Sequence, residues 1–336
     1  MAVPTQDPLR QLRLQSSWLL LHSIAQPTRQ KYTTYYKTYR MFARQYNLQA
    51  FPLSESTLIL FATYLANRRV SHKQINMHMA ALKFFAHTLG HPSIFERSPR
   101  LARLVRGIKR YQGQQFTRPN RIPITPALLR QLGQNLFRSP MLYQDKVMLW
   151  AAMLTAFFGF LRISEYTSPL VRSYDPASTL CMQDMKMTPW MVELRIKSSK
   201  TDPFRQGATV RLAYNGSTLC PVRALIKYRQ LLPTLSGPLF QFADGRYLTR
   251  RGFMQVLNAI KPQGISNMST HSFRIGAAST AAAAGYPRWA IQALGRWTSD
   301  CFRTYIRIPD STINTVSRAM AFIPSQNIAP FVPDNS

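Results

Sequence analysis

Five short stretches of the chain carry side chains able to grip an anion and move a proton. In Phe160-Leu161-Arg162-Ile163-Ser164-Glu165 a guanidinium stands three residues before a carboxylate, at the end of an apolar run. That Arg is either a snorkelling surface residue or a fork held by Glu165 so that it points into a cleft. Ser198-Ser199-Lys200-Thr201 places an ammonium in a polar loop, where a lysine is ordinarily just solvated. His271-Ser272-Phe273-Arg274 opens a helix, so His271 and Arg274, at i and i+3, share a face near its positive end. Leu294-Gly295-Arg296-Trp297 precedes Tyr305-Ile306-Arg307, where Tyr305 taken alone reads as a half-buried core tyrosine.

Other chemistries are excluded more easily. No phosphate-binding Walker loop and no Gly-rich dinucleotide fingerprint is present. The carboxylates are too few and too scattered for a two-metal nuclease. His87 and His91 have a ligand-like separation, but Gly90 and Pro92 spoil the helix there, so no metal site is expected. Cys181, Cys220 and Cys301 are far apart and odd in number, which excludes a disulfide framework or a cysteine zinc site and fits a reducing compartment.

Charge points to the partner. Of 336 residues 43 are Lys or Arg and 13 Asp or Glu, a net +30 at pH 7. Residues 1–120 hold 18 basic and 3 acidic side chains and the remainder 25 and 10, so each part carries +15. A basic tail on a neutral body is thereby excluded, and both parts are expected to face one polyanion. Nucleic acid is the first candidate. An anionic membrane surface fits less well, because the cations spread over both parts. The longest uncharged apolar run, Val147 to Leu161, has 15 residues against the roughly 20 a membrane span needs, so it reads as a buried core helix. Trp18 to Leu21 is too brief for the apolar core of a signal peptide.

The elements that must position these residues follow from periodicity. Tyr32, Tyr35, Tyr36, Tyr39, Phe42, Ala43 and Tyr46 recur at helical spacing after Pro27-Thr28, with Arg29, Lys37, Arg40 and Arg44 along one side. Ser54 and Ser71 are expected to cap the next two helices. A fourth runs from about Pro99 to Lys109. In it Arg97, Arg100, Arg103, Arg106 and Lys109 repeat every third residue, joined by Arg110, with Leu101, Leu104, Val105 and Ile108 between and no acid after Glu96. A solvated face usually mixes signs, so these residues are expected to meet phosphates. Residues 24–112 thus read as a four-helix bundle, 113–124 as a linker, 125–324 as a second domain opened by Thr125-Pro126, and 325–336 as a tail. In the second domain Val192, Leu194 and Ile196 alternate, as do Val210 and Leu212, with polar residues 197–207 between, a hairpin signal. Helices are expected around Val222 to Leu232, Arg251 to Ile260, Phe273 to Ala284, Arg288 to Gly295 and Ser311 to Phe322. The fold class is mainly α with a small antiparallel β-sheet, α+β.

Each chemical stretch is weak alone, but their order and spacing are not. Arg162, Lys200, His271-x-x-Arg274, Trp297 and Tyr305 together resemble the tyrosine recombinase, or phage integrase, family over about Thr28 to Arg307. The wording of Lys200-Thr201-Asp202-Pro203-Phe204-Arg205-Gln206-Gly207 and of His271-Ser272-Phe273-Arg274-Ile275-Gly276-Ala277-Ala278 is most similar to recombinases of eukaryotic mobile elements of the Crypton and DIRS-like kind. Two departures stand out. Trp297 occupies a position where many members have His, and it lies eight residues before Tyr305, one fewer than in many bacterial members.

The resemblance implies a core-binding domain followed by a catalytic domain, and site-specific cutting and rejoining of double-stranded DNA, with no cofactor and no metal. Arg162 and Arg274 would hold the non-bridging phosphate oxygens, each positioned donor worth roughly 3–4 kcal/mol. Tyr305 would be the nucleophile, in preference to Tyr286 in its Gly-Tyr-Pro turn. An ordinary phenol is only about 0.1% phenolate at pH 7, so it needs a base, here His271. Lys200 would protonate the leaving 5′ oxygen, Trp297 would offer its indole N–H, and Glu165 would orient Arg162. The product would be a 3′-phosphotyrosyl link and a free 5′ hydroxyl, which keeps the bond energy for rejoining without ATP. The family implies a homotetramer on two DNA sites. The C-terminal helix, with Ile313, Val316 and Met320 on one face, would then pack on its own domain or dock on a neighbour. In a eukaryotic host such an enzyme would act in the nucleus, and in a bacterial host at the cytoplasmic nucleoid. The second reading is a domesticated DNA-binding protein with this fold and no strand transfer. That every catalytic position is filled argues against it.

Overall fold

The computed structural model describes residues 8–91, 94–113, 121–199, 202, 204–232 and 236–307. The chain divides into two compact units, residues 1–118 and 119–336. Helices dominate both, and the second adds one three-stranded antiparallel sheet, the α+β class expected.

The first unit contains α1 (Pro8–His22), α2 (Gln26–Gln45), α3 (Glu55–Asn67), α4 (His72–Thr88) and α5 (Pro99–Gly113). The last four are those read from periodicity. Ser54 accepts the Thr57 N–H at 3.2 Å and Ser71 the Gln74 N–H at 3.4 Å, the caps their types suggest. The aromatic stripe of α2 builds the core: Tyr39 and Phe42 stand 5.2 and 5.1 Å from Phe61, ring to ring. Helix α1 is additional. None of its side chains is buried, so no core-facing stripe announces it.

In the second unit α6 (Pro126–Arg138) is capped by Thr125, which accepts the Leu128 N–H at 3.2 Å. Then come α7 (Tyr143–Phe158) and the single turn α8 (Ile163–Tyr166). Helix α7 is the buried helix foreseen in the apolar run, with every residue from Val147 to Phe157 buried except Trp150. It stops three residues before that run ends. Phe160 takes a left-handed φ of 50°, its N–H reaches Phe157 O at 3.2 Å, and the Leu161 N–H reaches Ala156 O at 3.0 Å. That Schellman-type closure turns the chain out of the core just before Arg162.

The sheet follows as β1 (Met185–Met187), β2 (Met191–Ile196) and β3 (Ala208–Ala213). Val192, Leu194 and Ile196 are buried with Val210 and Leu212, in the register that sets Leu194 opposite Val210. Three-residue β1 is too short to show alternation in sequence. Helices α9 (Pro221–Gln230) and α11 (His271–Ala283) pack on α7, α10 (Arg250–Ile260) packs on α6, and α12 (Arg288–Gly295) leads to a 3-10 helix, Asp300–Tyr305. The expected helix at Ser311 to Phe322 lies outside the described residues.

Candidate active site

Arg274 is a deeply buried charge in the second unit. It lies on the first turn of α11 and is fully buried. Its Nη1 donates to Phe160 O and its Nη2 to Gly295 O. The Gly295 carbonyl ends α12 and directs that helix's negative end at the cation, while the Phe160 carbonyl comes from the turn that follows α7. Burial, then the charge of Arg162, pushes the Arg274 pKa down to about 10, so it stays charged at pH 7. Small residues let α11 sit this deep. Gly276 presses its Cα on the backbone of Ile124, with no room for a methyl, and the Ile124 N–H donates to Ser272 O at 3.0 Å.

Arg162 caps the N-terminus of α8. Its Nη1 meets Glu165 Oε1 at 2.9 Å, and its backbone N–H meets Glu165 Oε2 at 3.0 Å. Of the two readings open in sequence, the fork held by a carboxylate is the one found. Arg296 Nη2 reaches Glu165 Oε2 at 2.7 Å. Two guanidinium groups thus share one carboxylate whose charge Arg274 also feels, an excess of two positive charges in this cluster of described residues.

His271 is the first residue of α11 and is half-buried. Burial, then the charges of Arg121, Arg274 and Arg162, pushes its pKa down to about 4. At pH 7 it is a neutral imidazole. Its ring centre is 4.9 Å from that of Tyr305.

Trp297 and Tyr305 complete the cluster. Arg274 Cζ lies 4.2 Å from the Trp297 ring centre and 5.8 Å from that of Tyr305. The Trp297 and Tyr305 rings are 5.0 Å apart. Gly295 has no Cβ, and the Trp297 indole occupies the space one would need. The eight-residue interval is accommodated by the 3-10 helix, in which i and i+3 eclipse. Phe302 packs 6.2 Å from Trp297 and Tyr305, three residues on, meets the same indole. Ser279 fixes the end of this helix, donating to Tyr305 O at 3.2 Å and accepting the Arg307 N–H at 2.9 Å.

Two donors here have no partner among the described residues: Arg274 Nε and Trp297 Nε1 are both buried, and neither makes a hydrogen bond to them. Buried polar groups are nearly always paired, so two such donors on adjoining side chains are exceptions to that rule.

Lys200 lies outside the described residues, and what is described is the contacts of residues on either side of it. Lys197 pairs with Asp184 at 2.6 Å. Asp202 accepts the N–H groups of Gln206 at 3.0 Å and Gly207 at 2.7 Å. Ser199 and Asp202 line a cavity of about 200 Å³ together with Arg296 and Thr298.

In the first unit Arg97, Arg100, Arg103, Arg106, Lys109 and Arg110 are all exposed, while Leu101, Ile108 and Gln112 turn inward. None of these cations forms an ion pair among the described residues. Lys37, Arg40 and Arg44 are likewise exposed, whereas Arg29 is half-buried and donates to Leu21 O at 3.3 Å.

Sequence reasoning assigned no role to Arg296, Ser279 or Arg121. The signal for Arg296 was its place beside Trp297. Ser279, far along α11, carried none.

No protein-family model and no curated protein sequence matches the chain. Solved structures do. The chain is similar to the integrase of the Tn1549 transposon in complex with transposon right end DNA, at 14% identity and a TM-score of 0.57, over 89% of this chain and 95% of that one. The fold is that of the tyrosine recombinases. Lambda integrase bound to DNA is similar at 15% identity and a TM-score of 0.54, over 87% and 91% of the two chains. The XerH site-specific recombinase bound to palindromic difH substrate has the same identity and TM-score, over 88% and 78%. At these identities the tyrosine recombinase fold is what the chains have in common. Function here rests on the site itself.

Proposed function

We propose that the protein is a site-specific DNA recombinase that cuts and rejoins strands through a 3′-phosphotyrosyl intermediate. The observation that carries this is the clustering of Arg274, Trp297, His271 and Tyr305 side by side, with an excess of two positive charges and two buried donors, Arg274 Nε and Trp297 Nε1, that find no acceptor among the described residues. A phosphodiester supplies the missing acceptors and the missing negative charge.

In this reading Arg162, Arg274 and Trp297 bind the non-bridging oxygens and stabilise the charge that grows in the pentavalent transition state. Neutral His271 takes the Tyr305 hydroxyl proton as Oη attacks phosphorus. The P–O5′ bond breaks, and the 5′ oxygen leaves with a proton from Lys200. Attack by a 5′ hydroxyl on the phosphotyrosyl ester reverses each transfer and frees Tyr305. The exposed cations of α2 and α5 hold the duplex by its phosphates. Four copies on two DNA sites, and a mobile-element role in integration or excision, follow from the same resemblance. The residues around Lys200 and His271 point to the Crypton and DIRS-like kind.

The test is covalent capture. A random-sequence library of nicked duplexes, incubated with the full chain and denatured, is expected to yield a protein–DNA adduct whose DNA identifies the target. Tyr305→Phe should abolish the adduct and leave duplex binding intact. An adduct that persists in Tyr305→Phe makes the nucleophile a different residue. Tight, sequence-selective binding with no adduct in the unsubstituted chain makes the protein a DNA-binding protein that does not cut.

A further inference from the structure

A carboxylate as deeply buried as Glu165 needs a partner on each oxygen. Arg162 Nη1 satisfies Oε1 at 2.9 Å. On the other oxygen Arg296 Nη2 sits at 2.7 Å, beside the Arg162 backbone N–H. The second arm of the Arg296 fork, Nη1, donates to Gly159 O at 3.1 Å. This residue therefore fastens the 159–165 segment at two points. Its own backbone is left-handed, φ 53° and ψ 44°, a conformation that a bulky residue keeps when its surroundings hold it there. It follows Gly295, whose carbonyl receives Arg274, and precedes Trp297, the ring on which Arg274 lies.

We propose that Arg296 is a positioning residue: it grips the second oxygen of Glu165 and so fixes the direction in which Arg162 presents its guanidinium to the phosphodiester, while tying that segment to the one that carries Trp297 and Tyr305. The proposal rests on the strand-transfer reading of the same site. Lysine would replace one bond but cannot span Glu165 and Gly159 together, because its ammonium is a point charge and not a fork.

The experiment uses the full chain and three variants: Arg296→Met, Arg296→Lys and, as an exposed control on α12, Arg288→Met. Two quantities are measured. One is the rate of adduct formation on captured nicked duplexes at saturating DNA, per folded molecule. The other is the orthovanadate concentration that protects the chain from thermal unfolding, vanadate being a pentavalent phosphate mimic. Misplacing a reacting or binding group by an ångström costs about 100-fold, so Arg296→Met is expected to slow adduct formation by about that factor. Duplex affinity should stay within about twofold, since the phosphate contacts of the first unit are untouched. Arg296→Lys should lose about 10-fold and Arg288→Met nothing, and vanadate protection should weaken in the same order. If Arg296→Met does not fold, Arg296→Lys carries the test. An adduct rate and a vanadate response equal to those of the unsubstituted chain overturn the proposal. If the unsubstituted chain forms no adduct but vanadate protection still weakens in Arg296→Met, strand transfer fails as the function and the positioning role stands. Absence of both adduct and vanadate protection in the unsubstituted chain overturns both.

Discussion

The Arg274 guanidinium lies over Trp297 with its central carbon 4.2 Å from the ring centre, and each of the two side chains retains one buried donor with no acceptor among the described residues. The arrangement gathers cost on every side. A fully buried cation is desolvated, and the residues at 160 and 296 that shape its carbonyl ligands both hold left-handed backbones. Two backbone carbonyls, one of them at the C-terminus of α12, and an aromatic face offset that cost, and no carboxylate pairs directly with Arg274 among the described residues.

This relationship separates the two roles of Trp297. Trp297→Phe keeps an aromatic wall for Arg274 and removes the indole donor. A hydrogen bond to a charged group is worth about 1.5–3 kcal/mol, so the adduct rate is expected to fall about 10- to 100-fold. Duplex binding should hardly change. A variant that cuts at the full rate would leave the indole N–H outside the reaction.

Glu165 offers a stability prediction. Glu165→Gln leaves Arg162 and Arg296 facing each other without the carboxylate that both use. Breaking a buried ion pair by removing one partner costs about 3–5 kcal/mol. Urea unfolding should show that loss in the transition of the second unit and leave the first unit unchanged. A loss under about 1 kcal/mol would place the pair in solvent and not in the core.

Histidine sets the pH behaviour. A free imidazole titrates near 6.5, and His271 in the folded chain only near 4. Between those values the unfolded chain binds the proton that the folded one refuses, so stability falls as the pH drops from 6.5 to 4. His78 in the first unit, pushed by burial to about 4, acts in the same direction. His271→Gln should flatten the acid slope of the second unit and His78→Gln that of the first. For the reaction, the rate at subsaturating DNA reports the free protein, so it should show no inflection near 6.5. An inflection there that disappears in His271→Gln would mean a solvated imidazole.

Much of this is legible in the amino-acid sequence, for identifiable reasons. The Val147 to Leu161 run and the Leu194 and Val210 strands carry strong periodicity, and Ser54, Ser71 and Thr125 are side chains whose chemistry is capping. The i, i+3 step from His271 to Arg274 sets both on one turn. What stayed hidden depends on distant backbone. That Arg274 would be held by Phe160 and Gly295 carbonyls cannot be read from side-chain types, because any residue has a carbonyl. Arg296 looked like one more cation among 43. Only its left-handed backbone, which turns it toward Glu165, distinguishes it. Helix α1 buries nothing, so no pattern in sequence records it.

The α5 face yields the last prediction. Arg103 and Arg106 are exposed on the side opposite the core positions Leu101 and Ile108, and neither has an anionic neighbour among the described residues. In a complex with duplex DNA each would displace one condensed counter-ion. The slope of log K against log salt changes by about 0.9 per phosphate contact, so Arg103→Ala with Arg106→Ala should make it shallower by about 2. The loss should be equal on target and non-target duplexes, since phosphate contacts carry no sequence information. Arg29→Ala is the internal comparison: that guanidinium is half-buried and already donates to Leu21 O, so removing it should change the slope by well under one contact. Equal slopes for the double variant and the unsubstituted chain would move the DNA to a different face of the first unit.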